Sequence, residues 1–159
     1  MSIRHLSVYL NDHFAGGSAA LELLRHLERT HAGTPLAQAA LDLHADVSED
    51  HRELEAIMSN AGVTPGVMRR AAAVFGEKIA ELKTRVDDPA GGPLRLLETL
   101  EALSLGIEGK HALWTGLASI AADVPALRDV DLSRLRQRAQ DQRARIERLR
   151  LDAVRAALA

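Results

Sequence analysis

Cysteine is absent from this chain of 159 residues, and aromatic side chains nearly so: Tyr9, Phe14, Phe75 and Trp114 make up 3%. Without cysteine there is no disulfide scaffold, thiolate zinc site, iron–sulfur cluster or thiol nucleophile. Four aromatics cannot supply the stacking platforms of single-stranded nucleic-acid binders. A formal net charge of -2 gives no pull toward a phosphate backbone, so no nucleic-acid partner is expected. No apolar run approaches the roughly 18 residues of a membrane span. The short apolar patch after His5 is broken by Asn11-Asp12-His13, which does not read as an export signal. The expectation is a cytoplasmic protein without a membrane partner. Gly16-Gly17 and Gly91-Gly92 lack the strand, lysine and hydroxyl of a phosphate loop, and there is no Gly-x-Ser-x-Gly elbow.

What is present is leucine, alanine, isoleucine and valine in a chain that is 47% hydrophobic, the composition of a helical core. The length predicts one domain over residues 1–159. Proline and glycine punctuate it at Gly33-Thr34-Pro35, Gly62-Val63-Thr64-Pro65, Pro89-Ala90-Gly91-Gly92-Pro93 and Val124-Pro125. Proline lacks the N–H a helix interior needs, and glycine is favoured just past helix ends. Thr34 and Thr64 suit N-caps followed by proline at the first helical position, and Asp131 suits the cap of the last helix. The predicted helices are 8–32 (A), 35–61 (B), a shorter one at 65–86, 93–122 (C) and 131–158 (D).

Apolar spacing by three and four supports the partition. B carries Leu36, Ala40, Leu43, Val47, Asp50, Leu54, Ile57 and Ala61; D carries Leu132, Leu135, Ala139, Gln142, Ile146, Leu149 and Ala153. Each stripe is interrupted by one polar residue. In C the stripe runs Leu96, Leu100, Leu103, Ile107, His111, Trp114 and Ala118, beside a second row of Glu98, Glu101, Leu105, Glu108 and Ala112. A presents Leu21, Leu24 and Leu27, together with Gly16, Gly17, Ser18, Ala19 and Ala20, which are small all round and permit close helix approach. Short linkers make A–B and C–D antiparallel hairpins, whereas some 30 residues between B and C can run the height of the bundle. The predicted fold is therefore all-α, a four-helix bundle with one long crossover carrying an extra helix, the ferritin-like arrangement.

Tyr9-Leu10-Asn11-Asp12-His13 with Leu21-Glu22-Leu23, and the long run from Leu97-Glu98-Thr99-Leu100-Glu101 to His111-Ala112-Leu113-Trp114, resemble a family of bacterial ferritin-like proteins of unassigned function. The likeness covers nearly the whole chain. It implies a helical bundle and carries no known reaction.

The centres of A, B, C and D fall near residues 20, 48, 108 and 145, close to Glu22, Asp50, Glu108 and Gln142. Level helices would then hold a polar layer across the bundle, and buried carboxylates need a cation, hydrogen bonds or a metal. The ferritin-like di-metal design takes one Glu from each of two helices and Glu-x-x-His from each of the others. Glu22 and Glu108 match the single glutamates. On B, His51 has Ser48 three residues before it, and Asp46-x-x-Glu49 and Asp50-x-x-Glu53 lack histidine; D has none at all and offers Asp141, Gln142 and Glu147. The set is incomplete, which leaves at most a single iron or manganese among Glu22, Asp50, His51, Glu53, Glu101 and Glu108. The bland readings are that Glu22 is exposed, Glu101 and Glu108 pair with arginines of D, Asp50 and Gln142 fix register, and His13 packs or caps.

From Asp131 to Ala159 there are eight arginines and four acids, net +4, against -6 over the rest. This division points to contact between D and the acidic rows of B or C, within one chain or across a homodimer. The functional expectation is a non-enzymatic binding or structural bundle, a homodimer on the strength of the small-residue face of A and this charge division, with no cofactor and an unidentified ligand. The alternative is a degenerate, single-metal carboxylate protein acting on oxygen or peroxide.

Overall fold

The computed structural model describes residues 3–64 and 92–159. Among these residues the secondary structure is four long α-helices and a single 3-10 turn at Pro125–Leu127, without strands: α1 Ile3–Thr30, α2 Pro35–Asn60, α3 Pro93–Ser119 and α4 Leu132–Leu158. The extra helix expected at 65–86 lies outside the described residues. α1 starts five residues earlier than expected, since nothing between Ile3 and Val8 breaks a helix. α3 ends three residues earlier, where the Ile120 N–H bonds back to the Leu117 carbonyl at 3.2 Å and the chain tightens toward Pro125.

The helix ends follow local chemistry. Thr34 is extended (φ -107°, ψ 160°) and its hydroxyl accepts from the Ala37 N–H at 3.3 Å, with Pro35 at the first helical position. α2 stops at Gly62, whose φ of +66° is costly for any residue with a Cβ. There the Val63 N–H reaches the Met58 carbonyl at 2.8 Å and the Gly62 N–H reaches Ser59 at 3.0 Å, and buried Val63 packs in the same cluster as Met58. Asp131 caps α4 by accepting from the Arg134 N–H at 2.9 Å.

The core has two apolar bodies. One joins Leu10 and Phe14 of α1, Leu54, Ile57 and Met58 of α2, Leu113, Trp114 and Leu117 of α3, and Leu132, Leu135 and Ala139 of α4. The other joins Leu23, Leu24 and Leu27, then Ala40, Leu43 and Val47, then Leu97, Leu100, Leu103 and Ile107, then Ile146 and Ala153. The first therefore holds the beginnings of α1 and α4 and the ends of α2 and α3. It follows that α1 is antiparallel to α2 and α3, and α4 likewise. The chain leaves α2 at one end of the bundle and enters α3 at the other. α1–α2 and α3–α4 are the extensively packed hairpins, and α1 also meets α3.

Two changes separate local from core contributions. Thr34→Ala is expected to cost about 1 kcal/mol through the lost cap, and Leu100→Ala about 2–5 kcal/mol, because Leu100 is fully buried and the site collapses only partly. Urea unfolding of both variants reads the difference.

Candidate functional site

Between the two apolar bodies lies a polar layer. Asp50 is 2% exposed and Gln142 is inaccessible, so each interrupts its stripe while facing inward, as the spacing predicted. Glu22 and Glu108 do not join them. Both are exposed, and Glu108 pairs with Arg143 at 3.0 Å. The α3 member is Lys110, whose Nζ donates to Asp50 Oδ2 and to Gln142 Oε1. Gln142 Nε2 donates to the same Asp50 oxygen at 2.8 Å. Arg138 Nε donates to Asp50 Oδ1 at 2.6 Å, and its Nη1 reaches out to Glu49 at 2.7 Å. One carboxylate thus meets two cations and an amide drawn from α3 and α4. Burial pushes the Lys110 ammonium below its usual range; the charge and hydrogen bond of Asp50 oppose this, and Arg138 adds to it.

The remaining expected residues are dispersed. Glu53 pairs with Arg134 at 2.5 Å, and exposed Glu101 lies 3.6 Å from Arg150. Arg145 pairs with Asp46. The basic face of α4 thus meets acids of α2 and α3 within one chain, the arginine pairing anticipated for Glu101 and Glu108. Among the described residues no three His, Asp or Glu side chains converge to hold an ion. Both Asp50 oxygens are already engaged by cations and an amide, so these residues do not fit an iron or manganese centre.

His51 is turned toward α1. Its ring stacks on Phe14 at 4.0 Å between centroids, and Nε2 lies 3.4 Å from Ser18 Oγ. Its Nδ1 is buried without a partner. A Cβ on Gly17 would lie 2.7 Å from that nitrogen, so glycine there is a steric requirement. Burial lowers the His51 pKa, with the charge of Glu55 opposing. His13, T-stacked on Tyr9 at 4.7 Å, is lowered by burial as well, against the charge of Asp12.

These groups border a cavity of about 460 Å³ between α1, α2 and α3. Its walls are mainly apolar and small, with Gly16, Ala19 and Ala20 from α1 opposite Ala102, Gly106 and Gly109 from α3. Asp50, His51 and Lys110 form its polar floor, and Asp12 and His13 lie on the α1 side. A Cβ at Gly16, Gly106 or Gly109 would meet nothing within 4 Å. Of the small residues of α1, expected to bring helices close, Gly17 does admit His51 of α2, whereas Gly16 leaves space. Small residues lie opposite small residues, while Leu10, Phe14 and Trp114 at one end and Leu23, Leu97 and Leu100 at the other sit in the packed apolar bodies on either side.

Lys110 was missed because the α3 stripe was continued from Ile107 to His111. Position 111 is half-buried and its Nε2 lies 3.2 Å from Gln140 Nε2, whereas Ile107, Lys110, Trp114 and Leu117 keep the spacing equally well. No family model, curated protein or solved structure matches the chain.

Asp50→Ala is expected to destabilise by about 3–5 kcal/mol, leaving Lys110 and Arg138 without their buried anion. Adding Lys110→Met and Gln142→Leu to Asp50→Leu should recover most of that loss, since an apolar layer leaves no lysine or glutamine to satisfy; denaturant midpoints test both. For the histidines the sign is set by their lowered pKa. The folded chain binds fewer protons than the unfolded one between the depressed value and about 6.5, so stability is lost as pH falls through that window. His51→Gln should flatten the fall in melting temperature between about pH 7 and about pH 5.

Proposed function

We propose that this chain is a small-molecule-binding helical bundle of ferritin-like connectivity, non-catalytic, holding a lipophilic ligand with one polar end. The connectivity is supported by the chain's exit from α2 at one end and its entry into α3 at the other. The binding reading rests on one observation, the cavity itself. Its volume of about 460 Å³ falls in the range of ligand sites, which are concave, mostly apolar and provided with few polar groups.

The glycines strengthen it. A glycine inside a helix costs roughly 0.5–1 kcal/mol relative to alanine, and at Gly16, Gly106 and Gly109 no neighbour demands one. Their arrangement keeps volume open. The metal-dependent alternative has no such support, because Asp50, Glu53, Glu101 and Glu108 of its set are paired with cations. Of the two features that suggested a second copy, the basic face of α4 pairs with acids of its own chain, and the small face of α1 borders the cavity.

Trp114 is the sole tryptophan and borders the cavity, so its emission reports occupancy. Titration with 1-decanol should change Trp114 fluorescence saturably. Gly106→Leu should abolish the response while the protein stays folded by circular dichroism, because its side chain enters open space. An unchanged response in that variant, or none in the wild type, would refute the cavity as a binding site.

A further inference from the structure

We propose that Lys110 is the nucleophile of a covalent capture site, which takes a lipophilic aldehyde into the cavity as a reversible imine. The inference rests on the cavity reading above and names the ligand class of that site.

Geometry places the amine where this chemistry needs it. Lys110 lines the cavity with 14% of its side chain exposed. Two acceptors on two other helices, Asp50 Oδ2 and Gln142 Oε1, hold Nζ in position. An ammonium has three donors, so two acceptors do not exhaust it. Two cations meet at the one buried carboxylate, Lys110 on one oxygen and Arg138 on the other, and Arg138 reaches out to Glu49 as well. A guanidinium does not give up its proton in a protein, so the lysine is the group able to become a neutral amine. Seventeen of the 20 basic side chains are arginine, and Lys110 is one of three lysines with Lys78 and Lys83. Arginine would answer Asp50 with more donors, yet among the described residues bordering the cavity the cation beside Asp50 is a lysine, a primary amine. The depressed pKa caused by its burial agrees with this, and amines desolvated in apolar sites are those that form Schiff bases.

The step balances without an oxidant. Once the ammonium has released one proton to solvent, the Nζ lone pair attacks the aldehyde carbon, a C–N bond forms, and the carbonyl π electrons move to oxygen. Asp50 Oδ2, already hydrogen-bonded to Nζ, relays a nitrogen proton to that oxygen. The carbinolamine then loses its hydroxyl as C=N forms, and both amine protons leave with the oxygen as one water molecule. When the imine nitrogen is protonated, Asp50 is its counter-ion. The apolar walls hold the aldehyde's hydrocarbon body and limit the water that would reverse the reaction.

Decanal added to the intact protein with cyanoborohydride, followed by peptide mapping, tests the assignment. A secondary-amine decyl adduct should form on Lys110 about tenfold or more faster than on Lys78 and Lys83 at about pH 7, because the apolar cavity holds the aldehyde beside its amine. In Lys110→Arg, confirmed helical by circular dichroism, the adduct at position 110 should vanish, since a guanidinium forms no such imine. Equal labelling of the three lysines in the wild type overturns the proposal. If Trp114 still responds to 1-decanol in that case, the cavity reading survives and the imine alone fails; if it does not, both fail.

Discussion

A single buried carboxylate, that of Asp50, sets conditions that the rest of the bundle meets. A charge removed from water is tolerated only with close partners in good geometry. Asp50 finds them on two neighbouring helices: Lys110 on α3, and Gln142 and Arg138 on α4. Those bonds tie the vertical positions of α2, α3 and α4 to one another. A slide of one helical turn would place an apolar side chain against the carboxylate and strand the lysine. Buried ion layers are often no more stable than leucines of similar volume, and the bonds of this one are satisfied in the register the helices adopt.

α1 is the helix without a member in the layer. Its glutamate faces outward, and its small residues border the cavity whose floor includes Asp50 and Lys110. The cavity is thus a consequence of three helices meeting around a charge while the fourth supplies little volume there. The same juxtaposition gives it chemical character. Asp50, His51 and Lys110 give the otherwise mainly apolar lining a polar edge. Glycines inside long helices are the local cost of keeping it open.

The charge division has a related explanation. Arg134, Arg138 and Arg145 of α4 meet Glu53, Glu49 with Asp50, and Asp46 of α2, so that residue numbers rise on one helix as they fall on the other. The exposed members of this row add little individually. As a set they agree with the antiparallel register imposed from the buried layer. Local caps and turns point the same way: the glycine stop after α2 and the threonine cap before it specify where the helix ends irrespective of what it packs against.

Much of the architecture was legible because helix formation and burial leave periodic traces along one chain. Asp50 and Gln142 could be recognised as inward-facing from their place in otherwise apolar walks through α2 and α4. Thr34, Pro35 and Asp131 marked helix starts through interactions within a few residues. In α3 the same signal was ambiguous, since positions 110 and 111 both continue a helical stripe from Ile107. Glu22 and Glu108 were level with the layer but on the wrong sides of their helices, a rotation that sequence position alone does not settle. By itself the sequence determined the helices, their punctuation and the presence of polar residues at mid-height, because those depend on contacts within a turn or two. Only the tertiary structure decided that Lys110 answers Asp50, that Glu108 goes to Arg143, and that the small residues of α1 border a chamber. Those outcomes depend on the relative rotation and spacing of helices distant in sequence, which are fixed by the mutual packing of all four.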